Sequence, residues 1–202
     1  IAGGGIRSAN VYEAFVQVIG EMQVPVALSL LGVDLLPYTH PLRVGMIGTY
    51  GNRWANQVMM ESDAILVIGS RLDVRQTGAD TELFKGARPI YHIDCDPEQL
   101  NNRVVGCHSC LAELSDFLPQ LSIAYQNKEA ASHQTWMERI DELRAKWPDM
   151  SELDGCKGIN PNSFMHSLSR SSSQASALVA DVGKNQMWAA QSVEIQPDQR
   201  LL

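Results

Sequence analysis

The chain has little cysteine, a deficit of positive charge and no long apolar run. Four cysteines in 202 residues, at 95, 107, 110 and 156, are too sparse and irregular for a disulfide framework, so a reducing, cytoplasmic setting is expected. Cys107-His108-Ser109-Cys110 has the spacing of half a zinc site. No second pair matches it, and the preferred reading is two small, half-buried residues at the start of a helix. Sixteen Lys and Arg against 23 Asp and Glu leave a net charge of −7, which argues against the broad basic face needed for nucleic-acid or anionic-membrane binding. No segment approaches the roughly 18 to 20 apolar residues that span a bilayer. The longest clean run, Ala64 to Gly69, is strand-sized. The opening Ile-Ala-Gly-Gly-Gly-Ile-Arg has neither the layout of a signal peptide nor an initiator Met, and the chain reads as a segment of a longer protein.

What is present is a core-forming composition, 45% hydrophobic and 19% charged. Ile1-Ala2, the glycines 3 to 5 and the apolar positions Val11, Ala14, Phe15, Val18 and Ile19 read as strand end, turn and helix, with most of that strand before Ile1. Val24 to Leu30 is a continuously apolar strand, as expected when both faces are covered. A long Gly- and Pro-rich loop follows, from Gly32 to about Asn52, and loops of that length usually carry function. A short helix over 54–62, a strand over 64–69, a polar loop over 71–86, a strand over 89–94 and a short strand over 103–105 complete the alternation, and a helix over 111–121 closes it. The pattern predicts an α/β fold: a doubly wound parallel sheet with helices on both faces, Rossmann-like or DHS-like in the manner of NAD/FAD-binding domains, over residues 1–125. A helical linker, 126–158, comes next. Residues 159–202 then supply a helix, a strand over 177–181 and a loop entering a helix, too little to bury their own faces, and read as the truncated start of a second α/β domain.

Ligands of such sheets bind beyond the carboxyl ends of the strands. Gly3, Gly4 and Gly5 between a strand and a helix let a phosphate approach the backbone, although a tight turn needs glycine for its own sake. Arg71 and Arg75 are able to pair with phosphates, or to form a loop ion-pair cluster with Asp73. Asp94 and Asp96 project alike from a strand end and suit ribose hydroxyls better than a metal. Asp181-Val182-Gly183 with Lys184, Asn185 and Gln186 is a second turn able to receive a phosphate. His92 reads as a core histidine. The histidines form no constellation, and no two carboxylates are persuasively paired.

Six segments in order carry a resemblance: Gly3-Gly4-Gly5, Val26 to Gly32, Gly48-Thr49-Tyr50-Gly51 with Ala55-Asn56, Gly69 to Gly78, His92 to Asp96, and Gly183 to Gln191. With these the chain resembles the thiamine-diphosphate-dependent enzymes of the acetolactate synthase type, across their central domain and the beginning of their diphosphate-binding domain. The resemblance implies a three-domain enzyme using thiamine diphosphate and Mg²⁺, which decarboxylates a 2-keto acid such as pyruvate and passes the two-carbon unit to a second carbonyl. It implies a homodimer or homotetramer at full length, and FAD or ADP in the central domain. Carried over residue by residue, the cofactor contacts are Gly3, Gly4, Gly5, Ser29, Leu30, Leu31, Thr49, Tyr50, Gly51, Gly69, Arg71, Asp73, Arg75, Asp94 and Asp96, with Gly183, Lys184 and Asn185 toward the diphosphate. The chain differs from the family pattern at Val74 and Cys107, where acids are usual, and at Lys184-Asn185, where Gln-His is common. The glutamate that activates thiamine and the metal-binding motif belong to parts of the family outside this segment, so neither a catalytic nor a metal-binding residue is assigned, and the segment alone is expected to be inactive. The alternative reading is a non-catalytic nucleotide scaffold or sensor binding ADP, FAD or NAD. A sirtuin-type NAD enzyme is disfavoured, since the chain offers neither its catalytic histidine beside an Asn-Asp pair nor a four-cysteine zinc module.

Overall fold

The computed structural model describes residues 1–126, 128, 132–155 and 157–202. Its main sheet is entirely parallel. Strand β1 (Val26–Leu28) pairs with β2 (Arg43–Met46), and β3 (Ile65–Ile68) pairs with β4 (Ile90–Asp94), which pairs with β5 (His108–Leu111). Ala2 makes parallel bridges to both Leu28 and Ile68 and so joins the two parts. Counting that segment as the first strand, the spatial order is the doubly wound one, reversing direction between Ala2 and β3.

Helices α1 (Gly5–Ser8), α2 (Tyr12–Met22), α3 (Arg53–Glu61), α4 (Val74–Thr77), α5 (Thr81–Lys85), α6 (Leu114–Tyr125) and α7 (Gln134–Lys146) accompany the sheet. Strand residues alternate between two cores, as the pleat requires. Val26, Leu28 and Ile68 face Phe15, Val18, Ile19 and Met22 of α2 and Leu114 and Leu118 of α6. Ala27, Ile65 and Val67 face Trp54, Val58 and Met59 of α3 and Ile140 and Leu143 of α7. In α2 the buried set recurs at i, i+3, i+4 and i+7, a single apolar stripe. Gln23 ends that helix in the left-handed region (φ 54°), and its N–H donates to the Ile19 carbonyl at 2.9 Å. Burial of each such large apolar side chain stabilises the fold by about 1.5–3 kcal/mol.

Several sequence expectations are corrected. The loop over 32–52 contains β2, fully buried; Arg43 and Gly45 (φ +139°) break the apolar pattern that would have marked a strand. The last strand lies at 108–111 and not at 103–105: Val104 is buried as a loop plug, whereas β5 is an edge strand with mostly exposed side chains. Accordingly Cys107 and Cys110 flank or enter a strand, not a helix. Cys107 is buried with its thiol donating to the Val104 carbonyl at 3.2 Å. The closing helix starts at Leu114, leaving Leu111 in β5 and 59% exposed. The polar loop over 71–86 holds α4 and α5, capped by the carboxylates of Asp73 and Asp80.

Parts of the expected linker, residues 127, 129–131 and Cys156, lie outside the described residues. Beyond it, α8 (Pro161–Ser171), β6 (Ala177–Leu178), α9 (Lys184–Ser192) and β7 (Arg200–Leu201) form a small unit with a two-stranded parallel sheet of its own. The strand expected over 177–181 is shorter, and β7 is an addition. The unit docks on the main sheet: Ala190 and Leu201 pack into the first core, the Tyr38 N–H donates to the Ile195 carbonyl at 2.8 Å, and Arg200 bonds the buried Asp34 carboxylate.

Candidate functional site

The point where strand order reverses opens into a cleft of about 800 Å³, lined from the carboxyl ends of β1, β2, β3 and β4 and from the loop into α9. The glycine turn stands at its centre. The Gly3 N–H donates to the Ile68 carbonyl and the Gly5 N–H to that of Gly69, both at 3.0 Å. A Cβ added at either glycine would collide with the Gly69 backbone, itself in the left-handed region at φ +59°. The glycines therefore first serve the close packing of α1 on the end of β3, and Gly4 and Gly5 also reach the cleft wall.

Ser29, Leu30 and Leu31 after β1 form one side, where Leu31 is left 71% exposed. Tyr50 comes from the 48–51 turn. Asn56 fixes this turn by accepting from the Gly48 N–H at 2.8 Å and donating to its carbonyl at 2.9 Å, and the Thr49 N–H donates to the Arg75 carbonyl at 2.7 Å. Gln191 of α9 donates to the Tyr50 carbonyl at 2.7 Å, so the C-terminal unit holds this wall as well.

The segment after β3 supplies the charge. Leu72 adopts φ +54°, unusual for a branched side chain, and is 1% exposed. That conformation plugs Leu72 into the core while Arg71 and Asp73 on either side line the cleft. Asp73 does not pair with the arginines. Its Oδ1 accepts the N–H groups of Arg75 (2.8 Å) and Gln76 (3.2 Å), capping α4. Neither Arg71 nor Arg75 enters an ion pair among the described residues, so the ion-pair cluster considered from sequence does not form. Two exposed guanidinium groups thus line the cleft outside any ion pair among the described residues.

The two aspartates after β4 part company. Asp94 is buried at the cleft wall, its Oδ1 accepting the Asp96 N–H at 3.0 Å. Asp96 instead accepts from the Gln99 amide and the Glu98 N–H, and these bonds hold its carboxyl below the usual carboxylate range. Gly3, Thr49, Gly51, Asp96, Gly183, Lys184 and Asn185, also expected at the site, are not among the residues that line the cleft. Val182 and Gln186, both part of the turn read from the sequence as able to receive a phosphate, line it in their place together with Met187. So does Arg7, whose guanidinium lies 3.9 Å from the Tyr12 ring centroid. The position of Arg7 just after the glycines was the available signal.

Among the described residues no three or more of His, Cys, Asp and Glu gather as a metal site, and no helix is long and apolar enough to cross a membrane. His92 is buried with Nε2 2.8 Å from the Ser70 carbonyl oxygen, and burial lowers its pKa. One expectation fails outright: histidine and carboxylates do form a constellation. His166 places Nδ1 2.8 Å from Glu194 Oε1 and Nε2 3.0 Å from Asp149 Oδ2. The separation of these residues, 17 and 28 positions, gave no linear signal.

With this geometry in place, the comparisons with known proteins decide the family. The family model for the thiamine pyrophosphate enzyme central domain matches residues 1–121. The chain belongs to the thiamine pyrophosphate enzyme family. It is similar to the probable acetolactate synthase large subunit of Methanocaldococcus jannaschii, 32% identical over 94% of this chain and 33% of the relative. It is likewise similar to the acetolactate synthase large subunit of Lactococcus lactis, 33% identical over 95% of this chain and 32% of that protein. For isozyme 1 of Escherichia coli the identity is 29% over 94% and 33%. The chain spans about a third of the length of these curated relatives.

Proposed function

We propose that this chain is the nucleotide-holding middle of a thiamine-diphosphate-dependent 2-keto acid carboligase or decarboxylase of the acetolactate synthase type. The observation that carries the reading is the family match over 1–121 together with a cleft at the reversal of strand order that presents two uncommitted guanidinium groups. The cleft volume falls within the range that takes a dinucleotide-sized cofactor. FAD or ADP suits its chemistry: Gly4 and Gly5 permit close approach, Arg71 and Arg75 meet phosphate, and the buried Asp94 accepts from ribose or adenine. Exposed Leu31 and Tyr50 supply an apolar face for a planar ring. Gly183, Lys184 and Asn185, at the start of α9, lie on the side from which a diphosphate would be reached.

Thiamine diphosphate with its Mg²⁺, when bound to the whole enzyme, supplies the electron sink for loss of CO₂ from a 2-keto acid. No Mg²⁺ ligand is assigned within the described residues, and these residues bind and orient without moving a proton of the substrate. The 202-residue chain alone is therefore expected to give no acetolactate from pyruvate. The test is made on the full-length protein, assayed for acetolactate from pyruvate and titrated with FAD, ADP and NAD. Arg71→Ala should weaken FAD or ADP binding by about ten- to a hundredfold, the loss of one hydrogen bond to a charged group. Saturable nucleotide binding without turnover would favour a sensor, and turnover without nucleotide binding would leave the cleft as scaffold.

A further inference from the structure

The cluster around His166 has the composition of a catalytic relay but not its arrangement. The Ser192 hydroxyl donates to Asp149 Oδ2, the same oxygen that His166 Nε2 approaches, so the serine is not bonded to the imidazole. His166 is 4% exposed and Ser192 0%, and none of His166, Asp149, Ser192 and Glu194 lines the strand-end cleft. Nucleophilic catalysis requires substrate access, which this burial denies.

What the arrangement does instead is join chain segments. Asp149 comes from the turn after α7, His166 from α8, and Ser192 and Glu194 from the end of α9 and beyond. An imidazole between two carboxylates satisfies both only as imidazolium, since the neutral ring has a single N–H. The bonds to Asp149 raise the pKa of His166, burial opposes this, and Glu194 raises it further. Burial likewise works against Asp149 ionising, but the hydrogen bonds from His166 and Ser192 leave its pKa lowered. The other groups facing the cluster are Arg170, 3.1 Å from Glu194 Oε1, and the Tyr38 ring, edge-on to His166 at 5.8 Å. Arg43 lies beyond Tyr38, 5.5 Å from its ring centroid.

A continuous hydrogen-bond path leaves this cluster toward the cleft. The Asn162 amide donates to Ser192 Oγ at 2.8 Å and to Gln191 Oε1 at 2.9 Å. Gln191 in turn donates to the Tyr50 carbonyl at 2.7 Å, and its own carbonyl accepts from the Asn52 amide at 3.1 Å. Tyr50 and the first turn of α9 are cleft walls.

We propose that the Asp149–His166–Glu194 cluster is an ionised latch, with His166 a positioning residue that holds the Tyr50 and α9 walls of the cleft and releases them when it loses its proton. The sign follows from the raised pKa of His166: the latch is closed below the ordinary histidine value and opens as pH rises through the higher folded value. Its effect on ligand binding rests on the nucleotide reading of the cleft; its effect on the walls does not.

Hydrogen exchange of the full-length protein, corrected for intrinsic rates, tests it between pH 6 and 9. Protection of the amides of α8, α9 and residues 49–52 should fall together with rising pH, by about tenfold for each pH unit over which the latch opens. In His166→Gln the profile should be flat. In Glu194→Gln, which keeps the imidazole and one carboxylate, the midpoint should move to lower pH, a shift that a merely structural role does not produce. A pH-independent wild-type profile, or the same profile in His166→Gln, overturns the latch. FAD titrated in parallel should bind more weakly above the midpoint in wild type but not in His166→Gln. Absence of FAD binding at every pH overturns the nucleotide reading while the exchange data still decide the latch.

Discussion

The molecule holds two concentrations of charge with opposite accounts of themselves. At the cleft, Arg71 and Arg75 are exposed and have no carboxylate partner among the described residues, while Asp73 between them is committed to capping α4. Around His166 the imidazole and Asp149 are buried, Glu194 is half-buried and Arg170 is exposed, and each faces a partner within 3.1 Å. Unpaired charge at an open strand-end cavity costs little in water and is available to a ligand. Paired charge around a buried imidazole is costly to break and therefore fixes one arrangement of segments. The lesson is that a constellation of catalytic residue types signifies less than whether anything can reach it.

The comparison is broken most forcefully at the buried end. His166→Phe removes the cation between two carboxylates and should destabilise the protein by about 3–5 kcal/mol, measured by denaturant unfolding of the full-length chain. A loss well under 1 kcal/mol would show that the carboxylates were already accommodated without it. Next in size is Phe15→Ala, which empties a site 1% exposed beneath the first core and should cost about 3–5 kcal/mol, with FAD affinity preserved in the folded fraction. At the cleft the expectation reverses. Arg71→Ala combined with Arg75→Ala should abolish measurable FAD or ADP binding yet leave the unfolding midpoint where it was; a large stability loss would mean the guanidiniums were structural after all. Smallest is Arg139→Ala, which breaks an exposed pair to Glu61 at 2.9 Å and one to Glu142. Solvent screening makes its effect on the melting temperature barely detectable, and added salt should erase what remains.

Much of this was legible along the chain. Apolar strands ending in Gly or Asp and a 3.6-residue stripe in α2 are local patterns, and they predict the parallel α/β fold and the end of the sheet where the cleft lies. Strand β2 escaped because Arg43 and Gly45 interrupt its apolar run, and β5 because an edge strand needs no apolar face. Asp94 and Asp96 looked equivalent at a spacing of two. A turn after Asp94 gives the second carboxylate a backbone N–H from Glu98 and the Gln99 amide as donors of its own, and only Asp94 lines the cleft.

The sequence by itself determined the family, the layered α/β fold and the glycine turn, because each depends on short-range pattern and on residue types with a fixed backbone demand. Only the tertiary structure decided which charges are free and which are spent. Asp149, His166 and Glu194 meet because α8 and α9 pack together, and Arg71 stays unpaired because Asp73 turns inward to its own helix. Electrostatic partnership is a matter of distance and solvent, and neither is written in the spacing of residues along a chain.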